Sequence, residues 1–185
     1  GKNPGAGIAE EGIVAKSFDD LAEKVTAKKK EIGTEIGTAL KKHADKRLNV
    51  ADALAPLDEA IDDAVKMGPE GQGLVTRLQN IKDGLTGTYQ NVEGKITRVG
   101  EKNLVMSPET AAKVKSEIGG MTTWTGQAFD NQVNQAKSRV YRKLKDMIGE
   151  VAPEVRPLNE RFANLIGAEN AVQRTKATAE RRQML

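Results

Sequence analysis

The residues that could do acid–base work come in pairs: Asp19 with Asp20, Asp58 with Glu59, and Asp62 with Asp63. Asp58, Asp62 and Asp63 stand at helical i, i+4, i+5 spacing, so two of them can face one partner. Hydrolysis by paired carboxylates needs their pKa values separated inside a cleft. These acids fall opposite the apolar side of a short amphipathic segment, which makes a solvated face, and no second acidic motif with magnesium-site spacing accompanies them. The lone histidine, His43, excludes a His-paired metal centre within the chain. The absence of cysteine excludes disulfides, thiolate ligands and a cysteine nucleophile. Gly68-Pro69-Glu70-Gly71-Gln72-Gly73 is glycine-rich and precedes a helical pattern. It lacks the Lys followed by Ser or Thr of a phosphate-cradling loop and no strand precedes it, so it reads as a turn. We therefore assign no catalytic residue, cofactor or metal ligand from the sequence.

Cationic chemistry is better represented. Residues 137–185 hold 11 Lys and Arg against 6 Asp and Glu, whereas residues 51–136 hold 8 against 12. Arg139, Arg142 and Lys143, with Lys145 beside them, are candidate contacts to phosphate or anionic lipid, because basic faces bind polyanions by releasing counterions. The alternative is a helix face whose charges pair locally or with the acidic middle; of the aromatic residues only Tyr141 interleaves the cluster. Trp124, the one tryptophan, is either part of a binding loop or an aromatic plug between helices.

The elements that would carry these groups are helices. Within 185 residues, aromatics are 3% and charged residues 30%, and helix formers dominate, as in chains that bury narrow apolar seams. Residues 1–16, with Gly1, Pro4, Gly5, Gly7 and Gly12, read as a flexible or extended arm. Ser17 caps a helix with Asp19 and Asp20 in its first turn. From there Phe18, Val25, Ile32 and Ala39 recur every seven residues, with Leu21 and Ile36 on the same side. That predicts a long heptad helix over 17–47, about 45 Å in length. Gly33 and Gly37 within it allow close helix packing.

A helical hairpin follows over 50–87. Leu54, Leu57, Ile61 and Val65 form its first stripe, Pro56 sits in the first turn, and Leu74, Leu78, Ile81 and Leu85 form the second. Residues 88–106 read as an irregular crossover, in which Val92, Ile96 and Val99 with Gly94 and Gly100 can make a small β-hairpin near 92–106. Ser107-Pro108-Glu109 starts a helix that stops at Gly119-Gly120. Asp130 caps another, with Val133, Ala136, Val140, Leu144 and Met147 on one face. Pro153 and Pro157 predict a bend or restart between 149 and 158. Leu158, Phe162, Leu165 and Val172 mark the last helix.

Several stretches resemble helical proteins encoded by tailed bacteriophages and prophages, a group with a presumed structural role. They are Lys115-Ser116-Glu117-Ile118-Gly119, Trp124-Thr125-Gly126, Val133-Asn134-Gln135-Ala136, Val140-Tyr141, Ala152-Pro153-Glu154-Val155 and the run from Leu158 to Ile166 with Ala168. Leu57-Asp58-Glu59-Ala60-Ile61 and Arg77-Leu78-Gln79-Asn80 share the likeness, which spans most of residues 50–175. It implies a virion-associated or assembly protein and no site residues.

The expectation is thus an all-α chain: an elongated bundle or coiled coil forming one domain over 17–185, with packing positions Phe18, Leu21, Val25, Ile32, Ile36, Val133, Val140, Leu144, Leu158, Phe162, Leu165 and Val172. Its long seams call for covering by a second copy or by other virion proteins. It would be located in the phage particle or the bacterial host cytoplasm. No apolar run is long enough to span a membrane and no secretory signal is visible. The chain begins at Gly1, as a trimmed, tagged or excised chain would. The second reading is a nucleic-acid or anionic-membrane binding module using the basic C-terminal helices. An enzyme is the third and has least in the residues to support it.

Overall fold

A computed structural model describes residues 3–120 and 128–185, apart from the side chain of residue 120. The chain is mostly helical, with short strands between helices. Among the described residues no helix is long and apolar enough to cross a membrane. Where one domain over 17–185 was expected, the chain divides into two units, one of Gly1–Lys42 with Ala152–Leu185 and one of His43–Val151.

In the first unit α1 (Pro4–Glu10) and α2 (Phe18–Lys41) pack with α8 (Val155–Gln183). Val25, Ile32 and Leu165 are its buried centre, and Ile8, Leu21, Ile36, Leu158 and Phe162 close around them. The predicted α2 seam is therefore real in its middle, and α8 covers it within the chain. Val172 is buried further along α8. Phe18, taken as the head of the seam, is 44% exposed. Helical side chains lean toward the N-terminus, so the first residue of α2 hangs over the helix end. The helix stops at Lys41 rather than near Arg47. The next heptad position would be Lys46, which offers nothing to bury.

The expected arm is a helix instead. Asn3 caps α1, accepting from the Ala6 amide at 2.8 Å, and Pro4 pre-sets its first turn. Gly7 is buried where α1 meets α8; a Cβ there would lie 3.2 Å from the Asn164 carbonyl oxygen and 3.3 Å from its Cβ. The glycines that argued for a loose segment include the one that lets α1 dock. At α2, Ser17 accepts from the Asp20 amide at 3.1 Å, while the Asp20 carboxylate accepts from the Lys16 amide at 3.0 Å.

In the second unit β1 (Leu48–Asn49) pairs antiparallel with β4 (Val105–Met106), Leu48 facing Met106. Between them lie α3 (Val50–Ala53), α4 (Ala55–Lys66), a 3₁₀ turn (Gly68–Gly71), α5 (Gln72–Thr86) and the strands β2 (Gly87–Val92) and β3 (Lys95–Glu101). Then come α6 (Pro108–Gly120) and α7 (Asp130–Val151). Helix α7 packs on α4, α5 and α6, burying Val133, Ala136, Val140, Leu144 and Ile148 against a core that includes Leu57, Leu78 and Ile118. The α4 stripe ends differently from expectation: Ala64 is buried and Val65 exposed. The restart predicted near the prolines falls between Val151 and Val155, and Pro157 occupies the first turn of α8 without breaking it.

Candidate functional site

The carboxylates with catalytic spacing lie at the surface, and all but the exposed Asp62 are engaged in ion pairs. On the outer face of α4, Asp58 binds Lys82, Glu59 binds Arg139 at 2.6 Å, and Asp63 lies 3.9 Å from Lys66. Asp19 pairs with Lys176, and Asp20 with Lys24 at 3.2 Å. His43 is half-buried, its carbonyl accepting from the Lys46 amide at 3.0 Å. Among the described residues no group of three or more His, Cys, Asp or Glu could hold a metal ion. Of the glycine-rich stretch, Gly68–Gly71 forms the turn between α4 and α5, and Gln72 and Gly73 begin α5. Trp124 lies outside the described residues.

Sequence order alone grouped Arg139, Arg142 and Lys143. Arg139 is taken by Glu59, whereas Arg142 and Lys143 stand exposed on α7. A cation from another element joins them: the Lys115 ammonium of α6 lies over the Tyr141 ring, 5.6 Å from its centroid. Burial, with the nearby Lys145 charge, pushes the Lys115 pKa down. No periodicity links Lys115 to this group, because the contact depends on how α6 lies against α7.

Sequence reasoning also missed the tie between Glu11 and Arg161. Arg161 donates to both carboxylate oxygens, at 2.7 and 2.8 Å, and Glu35 lies 3.8 Å from the same guanidinium. The Glu11 side chain is only 4% exposed. The Arg161 hydrogen bonds hold its carboxyl below the usual range despite burial, so the pair stabilises fully above the unfolded value near 4.5 and fades as pH falls through the folded one. Glu11→Gln is expected to cost about 1–2 kcal/mol at pH 7. Denaturant titrations of both proteins should show that gap closing progressively below pH 4.5. A gap that widens in acid would contradict the assignment.

The second surface of note is the β2–β3 hairpin. Its turn, Glu93-Gly94, has φ of 52° and 83°, the mirror-image turn whose twist matches paired strands. Tyr89 faces Arg98, Asn91 faces Ile96 and Val92 faces Lys95, with an irregularity in register between Thr88 and Tyr89. The base is fixed to α5: the Tyr89 hydroxyl donates to the Asp83 carbonyl at 2.9 Å, and Arg98 lies 3.4 Å from the Asp83 carboxylate. Beyond Gly87 every residue of both strands is exposed, including Ile96 at 71% and Val99 at 58%. Each strand pairs only with the other, so both outer edges are free among the described residues.

Comparison with family models, curated proteins and solved structures finds no match for this chain.

Proposed function

We propose that this is a non-enzymatic structural or assembly protein, a component of a tailed-phage virion that associates with a second copy or with other virion proteins. The observation that carries the reading is the exposed β2–β3 hairpin. Two strands alone are marginally stable in water, and their free edges offer backbone donors and acceptors to a third strand. Tyr89, Val92, Ile96 and Val99 give a partner apolar surface on both faces of the ribbon. The ion-paired state of Asp58 and Glu59 and the exposure of the α4 acids also support a role other than hydrolysis. The place in a virion rests on the resemblance of residues 50–175 to phage proteins.

The seams first expected to drive association are covered inside the chain, so the association surface moves to the hairpin. Sedimentation velocity across a concentration series should show self-association, or co-sedimentation with proteins of the source particle. Replacing Val92 and Ile96 together by lysine should weaken that association about tenfold or more and leave the far-UV circular dichroism of the helices unchanged. A chain that stays monomeric and is undetected by mass spectrometry of purified particles would overturn the proposal.

A further inference from the structure

On α7, Ser138, Tyr141, Arg142 and Lys145 recur at steps of three, one and three, so they share one face. Across from them on α6, Lys115 and Gly119 lie one turn apart, and both meet the Tyr141 ring. A cleft of about 560 Å³ lies here, lined by Ser116, Gly119, Ser138, Tyr141 and Arg142. A second hollow of about 350 Å³ shares Ser138 and Arg142 and extends past Arg139, Gln135 and Asn134 to Asn131. Among the described residues no carboxylate lines either one.

Most cations at helix contacts elsewhere have an acid: Arg77, Arg139, Arg161, Lys29, Lys82 and Lys176 each pair with a carboxylate. Arg142 and Lys145 have no ion pair among the described residues, although Asp146 stands one turn from Arg142. Lys115 feels Lys145 as a repelling like charge. An anion placed between them would relieve that repulsion and find hydroxyl and amide donors beside it. The hollows follow α7 from Asn131 to Arg142, about 16 Å at 1.5 Å per residue, and Lys145 stands one turn beyond. That length suits a short run of phosphates, which recur about every 3.4 Å of helix axis in each strand of a duplex.

We propose that this α6–α7 groove binds the phosphate backbone of a nucleic acid, with Lys115, Arg142 and Lys145 as its charged contacts and Ser116, Ser138 and Tyr141 as hydrogen-bonding or stacking partners. An anionic membrane fits less well. An interfacial helix inserts its apolar face into lipid, and the α7 apolar stripe, from Val133 to Ile148, is already buried in the core.

Fluorescence anisotropy of the full chain with a labelled 24-base-pair DNA duplex (about 80 Å long, well beyond the groove) tests this. Between 50 and 200 mM salt the wild type should bind more weakly as salt rises. The Arg142→Gln/Lys145→Gln variant should bind at least about tenfold more weakly at the low-salt end, with a log–log salt slope shallower by about 2, one increment of roughly 0.9 per lost contact. Lys115→Gln should move both quantities in the same direction. Lys66→Gln should stay within about twofold of wild type, because Lys66 lines neither hollow and its exposed contact with Asp63 is weak. Circular dichroism checks that the variants keep their helices, and the exposed positions of Arg142 and Lys145 favour that. Absence of wild-type binding at 50 mM salt overturns the proposal, as does an unchanged affinity in the double variant. Binding to phosphatidylserine vesicles without binding to the duplex overturns it in favour of a membrane.

Discussion

Replacing Gly71 by alanine is expected to destabilise the second unit by about 3 kcal/mol, at the upper end of what overpacking costs. The residue closes the 3₁₀ turn between α4 and α5 with ordinary helical dihedrals, φ −86° and ψ −6°, so backbone freedom is not what the site requires. Space is. A Cβ at Gly71 would sit 2.0 Å from the Ala64 carbonyl oxygen and 2.9 Å from the Met67 Cβ. Neither atom is the far end of a flexible side chain, so relief requires α4 and α5 to move apart, opening the contacts of Leu57 and Leu78. Gly68, three residues earlier, makes the control. It has φ +71° and nothing within 4 Å of its added Cβ, so Gly68→Ala pays only the left-handed backbone penalty, about 1 kcal/mol. Urea unfolding followed by circular dichroism measures both. Equal losses at the two glycines would refute the steric account.

The same turn illustrates what local sequence carries. The glycine-rich run announces a break between two apolar stripes, and the break is there. Which glycine is irreplaceable depends on the α4 C-terminus folding back over the turn, which no composition rule encodes. The α2 heptad behaves alike. Val25, Ile32 and Ala39 are buried as their spacing requires, because a seven-residue repeat is a property of one helix. The identity of the covering helix is a property of two. Residues near Leu165, some 130 positions away, complete that core, and nothing in either segment marks them as partners. The reading of the seam as an external surface came from that gap. Where the signal was purely chemical the outcome was mixed. Arg139 and Arg142 stand three residues apart and look equivalent, yet one meets Glu59 and the other lines the cleft with no ion pair among the described residues. The α1 helix was masked by its glycines, although Asn3-Pro4 is a start signal of the same kind that identified α2 and α6.

Arg77→Met is expected to cost the second unit about 3 kcal/mol through Asp130, which it does not resemble in sequence neighbourhood or charge pattern. Asp130 opens α7 and is 3% exposed, the one charged residue buried to this degree among those described. Its carboxylate accepts from the Arg77 guanidinium at 2.7 Å, and Arg77 also donates to the Ala128 carbonyl. Removing the arginine takes the principal countercharge from a desolvated anion. The α7 dipole favours a negative charge at this end, and Lys137, whose pKa is pushed down by burial and by the Arg77 charge, lies near enough that Asp130 offsets part of that shift, so part of the loss is buffered. Asp130→Asn should be milder, about 1–2 kcal/mol, since the arginine left behind is 31% exposed and can turn to water. If desolvated charge is what matters, Arg77→Met/Asp130→Asn must be more stable than Arg77→Met alone, a non-additive recovery readable in a double-mutant cycle of urea midpoints. Simple addition of the two losses would mean that Arg77 acts by its packing and its bond to Ala128. The start of α7 would then be held to α5 by shape rather than by charge.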